Sequence, residues 1–205
     1  MKLYVDREYA SPWAMAVFVG LREKGVCFDL ETLDLDAGDQ RDAGFARQSL
    51  TQRVPALVLD DGFALSESTA ILEYLDDTLP APDLLPRKAH ERARARQVQA
   101  WLRSDLAALR AERSTEVVFF RPIDKPLSAA GQAAADKLIA AAEQLLDGRD
   151  QLFDAWSVAD TDLALTLNRL ILNGDPVPEA LKRYAARQWQ RPSVQAWVKL
   201  ERPPL

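Results

Sequence analysis

The 205-residue sequence predicts a small α/β domain built on a mixed four-stranded sheet over residues 1–80, followed by an all-helical domain over 88–205. Three observations predict it. Short strand and helix signals alternate in the first third of the chain. Pro80, Pro82 and Pro86 then interrupt any helix, so 81–87 reads as a linker. Beyond it, helical periodicity recurs without a convincing strand pair.

Lys2–Asp6 reads as the first strand. Ser11-Pro12 opens a helix, because serine suits the N-cap and proline the first helical position. The helix runs apolar on nearly every side from Trp13 to Leu21, as for an element packed between layers, and Gly25 is placed to end it. Val26, Phe28 and Leu30 alternate with polar neighbours and predict a second strand, whose parity slips at Leu33 and Leu35. Residues 36–50 are polar and fit a short helix or a loop.

Val54–Leu59 reads as a strand, Asp60-Asp61-Gly62 as a hairpin turn and Phe63-Ala64-Leu65 as the return. Ser66 is placed to cap a helix whose apolar positions Ala70, Ile71, Tyr74 and Leu75 recur at helical spacing. The opening strand-helix-strand unit calls for parallel pairing and the hairpin for antiparallel pairing, and a mixed four-stranded sheet satisfies both.

Downstream, Arg87–Arg113 predicts one long helix with Val98, Trp101, Leu102, Leu106 and Leu109 on one face. Its eight Lys/Arg against three Asp/Glu stand out in an acidic chain and read as a solvated face. Ser128–Leu146 predicts a second helix, ended near Gly148. Ser157-Val158-Ala159-Asp160 is a capping-box pattern, with Asp for Glu, opening a third helix through Leu172. Two more follow near Pro178–Trp189 and Ser193–Leu200. Trp101, Trp156, Trp189 and Trp197 are expected in the core of the helical domain.

Apolar residues make up 48% of the chain, charged residues 28%, and the net charge is -5. That balance gives no reason to expect nucleic acid or an anionic membrane as partner. No signal peptide is visible, and the longest apolar run, Trp13–Val19, is too short to cross a bilayer. Cys27 and His90 are the only residues of their types, so no internal disulfide and no Cys/His metal site is expected. A cytoplasmic location is the natural reading.

Ser11-Pro12, Val54-Pro55, Glu67-Ser68 opening the third helix, and Ser157-Val158-Ala159-Asp160 occur in the order and spacing of one family. On these motifs the whole chain resembles the cytosolic glutathione S-transferase superfamily. Gln99-Ala100-Trp101-Leu102-Arg103-Ser104-Asp105 looks closest to a bacterial, serine-type subgroup. The resemblance implies a thioredoxin-like first domain that binds glutathione as co-substrate, with no permanently bound cofactor. It also implies a helical domain lining the electrophile site, and a homodimer. The implied activity is transfer of glutathione to a small electrophile. Peroxide reduction, dehalogenation and a weakly catalytic binding module are the alternatives.

Ser11 is the candidate catalytic residue. A free thiol with pKa about 8.5 is only about 3% thiolate at pH 7. Lowering that pKa by about two units takes about 2.7 kcal/mol. A helix N-terminus supplies roughly 0.3–2 kcal/mol and a hydroxyl hydrogen bond to an anion about 1.5–3, so the two together suffice. Tyr9 is the rival, since some superfamily members use a tyrosine near the end of the first strand; Tyr4 lies within that strand. Serine rather than cysteine at position 11 argues against disulfide chemistry, and Cys27 reads as core.

The helix start at Glu67-Ser68 fits the γ-glutamyl end of glutathione: N–H groups and the Ser68 hydroxyl for its carboxylate, Glu67 for its ammonium. The resemblance implies a cis Val54-Pro55 bond whose Val54 main chain pairs with the cysteinyl unit. Gln52 and Arg53 are placed to meet the glycyl carboxylate. Trp13 is a candidate wall of the electrophile pocket. Arg103 or Asp105 is a candidate to line that pocket or to reach across a dimer interface.

Overall fold

The computed structural model describes residues 1–204. They form two compact units: Met1–Leu84 together with the described residues from Ala196 onward, and Leu85–Gln195.

The first unit holds one sheet of four strands in the order β2-β1-β3-β4. β1 (Lys2–Asp6) pairs in parallel with β2 (Asp29–Leu33) and antiparallel with β3 (Ala56–Val58), which pairs antiparallel with β4 (Ala64–Ser66). This is the mixed sheet the sequence predicts. Leu3, Val5 and Leu57 are buried on the face covered by α1 (Pro12–Glu23) and α3 (Ser68–Thr78), and Ala56 is buried on the opposite face beside Tyr4. α1 is buried continuously from Ala14 to Leu21, which is why its sequence lacks a polar face. Gly20 permits the close approach of α3: a Cβ there would stand 2.6 Å from Leu72 Cδ2.

Several expectations about this unit need correction. β2 begins at Asp29, so Val26, Cys27 and Phe28 precede it, and Cys27 is exposed rather than core. The turn that places it there is fixed by α1's end, where Gly25 adopts φ 66 and Val26 N–H bonds back to the Leu21 carbonyl. The cap of α3 is Glu67, not Ser66, which is held in the β4 ladder opposite Ala56. Residues 36–50 contain a 3-10 turn (Asp39–Arg41) and a short helix, α2 (Ala43–Ala46). Trp197 is fully buried, but in this unit: its ring packs on Tyr9 and Phe18.

The second unit is helical throughout: α4 (Ala89–Ser104), α5 (Ala107–Glu112), α6 (Thr115–Phe119), α7 (Ala129–Leu146), α8 (Val158–Ile171), α9 (Glu179–Trp189) and most of α10 (Pro192–Val198). The single helix expected over 87–113 is two. Leu106 turns left-handed at φ 59, the Asp105 carboxylate accepts its N–H at 2.8 Å, and Arg110 donates to the carbonyls of Leu102 and Asp105. α6 is an element that sequence reading did not find. α8 is the unit's core, buried from Val158 to Leu170 and opened by the predicted capping box. Trp101, Trp156 and Trp189 are only half-buried, because their rings lie at the edges of this core.

Candidate active site

β1 ends in a tight connection to α1, and Ser11 stands at its close. Ser11 is the N-cap: its Oγ accepts the Ala14 N–H at 3.2 Å, and its carbonyl accepts the Met15 N–H at 3.0 Å. Pro12 follows with no N–H to satisfy. A hydroxyl has one proton and two lone pairs, so accepting from Ala14 leaves the proton for an acceptor outside the helix. Among the described residues none takes it. Capping and donation to a ligand are therefore compatible in the same side chain.

Ser11 lines a cavity of about 460 Å³ within the first unit, with Trp13, Leu35, Gln40, Arg41, Thr51 and the run Gln52-Arg53-Val54. Four predicted positions thus share a wall with Ser11: Trp13, Gln52, Arg53 and Val54. The cavity carries two cations, Arg41 and Arg53, and no carboxylate, so it is suited to an anionic group. The Val54–Pro55 peptide is cis, as expected. Pro55 is buried behind the wall, and the Ser49 hydroxyl fastens the loop through the Arg53 carbonyl (3.0 Å) and amide (3.2 Å).

Glu67 and Ser68 do not line the cavity; the sheet register sets them beside it. Ala56 pairs with Ser66, so the next step of the hairpin sets Glu67 next to Pro55. Glu67 is exposed, caps α3 without using its side chain, and adopts φ 72; Ser68 is buried. Non-glycine residues at positive φ are costly and concentrate where surrounding structure enforces them. Of the five such residues described, three are Tyr9, Gln52 and Glu67, one on each of the three loops that frame the site.

Tyr9 packs its ring on Trp197 at 5.7 Å and does not line the cavity, which favours Ser11 over it. Arg103 and Asp105 belong to the second unit. Arg103 donates to Asp162 at 3.2 Å and to the Gln99 carbonyl. Asp105 accepts from the Trp101 indole at 3.0 Å and from Lys137. A second cavity, of about 610 Å³, lies in that unit between α4 and α7, walled by Val98, Trp101, Leu145 and Phe153 among others. None of the predicted site residues lines it.

Sequence reading missed Gln40, Arg41 and Asp6. Gln40 and Arg41 sit in a polar stretch with no periodicity to place them. Asp6 lies beneath the site: its buried carboxylate accepts the Ala10 N–H at 2.6 Å and the Ser11 N–H at 3.0 Å. Burial pushes its pKa up, and those amide bonds pull the other way. Among the described residues no group of acidic, histidine or cysteine side chains could hold a metal ion.

Comparisons with known proteins bear on the same residues. A family model described as the glutathione S-transferase N-terminal domain matches residues 10–78, and one for the C-terminal domain matches residues 88–202. Glutathione S-transferase Z1 of Arabidopsis thaliana is 31% identical over 195 residues, covering 89% of this chain and 86% of that protein. The crystal structure of a glutathione transferase homologue from Burkholderia GL BGR1, with bound glutathione, superposes with a TM-score of 0.77 at 46% identity, covering 97% and 95% of the two chains. A maleylacetoacetate isomerase from Methylobacterium extorquens AM1, with bound malonate and glutathione, gives 0.77 at 27% identity over 100% of both chains.

Proposed function

Because the chain belongs to the glutathione S-transferase family, we propose that it binds glutathione at the 460 Å³ cavity and activates the thiol through Ser11. The observation that carries this reading is the Ser11 hydroxyl, on the cavity wall at the head of α1, with its proton uncommitted. Glu67 and Ser68 take the γ-glutamyl group, the Val54 main chain takes the cysteinyl unit, and Arg53 with Gln52 takes the glycyl carboxylate. Arg41 and Gln40 join that last group.

In the reaction, the thiol gives its proton to solvent, and the hydroxyl hydrogen bond and the helix end stabilise the sulfur anion. A sulfur lone pair forms the new bond to an electrophilic carbon. Either a leaving group departs with its electron pair, or an activated double bond shifts its π pair to the neighbouring carbon, which is protonated by solvent. Trp13 stands next to the sulfur's expected position and bounds the approach of the second substrate.

A second reading is glutathione-dependent isomerisation, favoured by the match to the Methylobacterium isomerase. The carbon–sulfur bond would form, the former double bond would rotate as a single bond, and the sulfur would leave again. Peroxide reduction uses the same thiolate: the O–O bond breaks, a sulfenic acid and an alcohol form, and a second glutathione yields the disulfide and water. Purified protein assayed with glutathione against electrophiles, cis-dienoic acids and hydroperoxides separates the three. Turnover of none, despite tight glutathione binding, would contradict an enzymatic role.

We also propose a homodimer in the cytoplasm. Leu50, 94% exposed, and Phe63, 47% exposed, are large apolar side chains on the first unit that an interface would cover. Sedimentation at micromolar concentration is expected to give twice the 22.9 kDa chain mass, and a clean monomer would refute the dimer.

A further inference from the structure

The connection that carries Ser11 is held from two sides. From below, Asp6 places a carboxylate that is 4% exposed against the main chain, one oxygen accepting the Ala10 N–H at 2.6 Å and both reaching the Ser11 N–H, at 3.0 and 3.1 Å. From the side, the chain's C-terminal residues return to the same loop. Arg202 donates to the Tyr9 carbonyl at 3.2 Å, while its other bonds, to the carbonyls of Trp197, Val198 and Leu200, fix the guanidinium at the end of α10. Trp197 closes the arrangement by packing on the Tyr9 ring. Between these anchors Tyr9 is forced to φ 48, a conformation a tyrosine does not hold unaided. Arg202 and Asp6 also attract each other electrostatically across the loop.

We infer that Asp6 is a positioning residue for Ser11, and that Arg202 completes the clamp through Tyr9. A carboxylate offers only acceptors, and here the two converging donors are main-chain N–H groups of consecutive residues. They set the peptide planes on either side of the Ala10 Cα, the second of which contains the Ser11 nitrogen, and with them the direction in which the Ser11 Cβ–Oγ bond leaves the chain. A hydroxyl displaced by about 1 Å from a developing thiolate loses most of its effect on that anion while remaining an adequate cap. Asparagine has the same shape but presents an NH2 group in place of one oxygen, so it faces an N–H with a donor and must turn the loop.

This inference rests on the reading of Ser11 as the thiol's partner, and the test keeps the two apart. Asp6→Asn, Arg202→Met, Ser11→Ala and the two double variants with Ser11→Ala are compared by ultraviolet titration of the bound glutathione thiolate and by calorimetry of glutathione binding. Asp6→Asn and Arg202→Met are expected to raise the bound thiol's pKa in the direction Ser11→Ala does, while glutathione affinity stays within about twofold. Once Ser11 is alanine, adding either substitution is expected to change the titration no further, because a clamp acting through the hydroxyl has nothing left to position. Additive shifts, or no shift in either single variant while Ser11→Ala moves the curve, overturn the positioning role alone. No shift in Ser11→Ala itself overturns the Ser11 reading and the clamp with it. If Asp6→Asn does not fold, the Arg202→Met arm decides by the same criteria.

Discussion

Four of the described helices are capped by a serine, and the starts of α1 and α8 have opposite characters. At the head of α8, Ser157 and Asp160 are wholly buried, and the aspartate is saturated. It accepts the Ser157 N–H at 3.0 Å, the Ser157 hydroxyl at 3.3 Å, the Leu152 N–H at 2.8 Å and the Tyr184 hydroxyl at 3.0 Å. At the head of α1, Ser11 is half-buried, opens on a cavity and keeps its proton uncommitted. Each rests on a buried aspartate whose pKa burial raises, Asp160 in one case and Asp6 in the other. The closed start spends its hydrogen bonds on stability; the open start keeps one back. The residue type is the same, and the surroundings decide which role it takes.

The largest effect that would sharpen this contrast lies at the closed start. Asp160→Ala leaves two buried N–H groups and the Ser157 hydroxyl without their acceptor, and the Tyr184 hydroxyl with only the main-chain carbonyl at 3.3 Å; it is expected to cost about 3–5 kcal/mol of unfolding free energy in urea titrations. A loss below about 1 kcal/mol would mean the network is not structural and would break the comparison.

The head of α3 stands beside the cavity, and Glu67 caps it without a side-chain bond. Glu67→Gln and Ser68→Ala are each expected to weaken glutathione binding by about 1–3 kcal/mol in calorimetry. Unchanged affinity in both would remove the γ-glutamyl assignment.

The smallest effect concerns pH. Lys137, then the Leu106 amide and the Trp101 indole, hold the Asp105 carboxyl at about 2, below the ordinary 3.8. A carboxylate lowered by folding adds stability that is complete above its unfolded value and is lost as pH falls through its folded value. Asp160 has the opposite sign: raised by burial, its contribution declines as pH rises through the interval above the ordinary value. Asp105→Asn is therefore expected to flatten the acid limb of the stability profile between about pH 4 and pH 2, measured as urea midpoints. An unchanged limb would show that this exposed pair contributes nothing, as many such pairs do.

The open and closed starts were not equally legible in the sequence. Ser11-Pro12 and Ser157–Asp160 both read as helix starts, because capping is a local pattern over four residues. Which one faces a cavity is settled by residues distant in sequence, such as Gln40 and Val54, and no local signal carries that. The strands and most helices were legible for the same local reason. The break at Leu106 was not, because no glycine or proline marks it; a leucine is held left-handed by Asp105 and Arg110. Trp197 looked like helical-domain core because its sequence neighbours are helical, yet its ring completes the first unit around Tyr9 and Phe18. Asp6, at a strand end, has no sequence mark that separates a buried anchor from a solvated acid.

The central claim is that the open start at Ser11 acts on a thiol. Ser11→Ala is expected to lose about 1 kcal/mol of stability whether or not the claim holds, because a cap is removed in either case. The deciding measurement is the ultraviolet titration of thiolate in the glutathione complex of the parent protein and of Ser11→Ala. The variant's bound thiol is expected to titrate about one to two pH units higher. Turnover near pH 6.5 should then be impaired roughly tenfold or more, by a deficit that shrinks as pH passes the new pKa. Coincident titration curves, with a rate ratio near one at every pH, would contradict it and leave Ser11 as a cap alone.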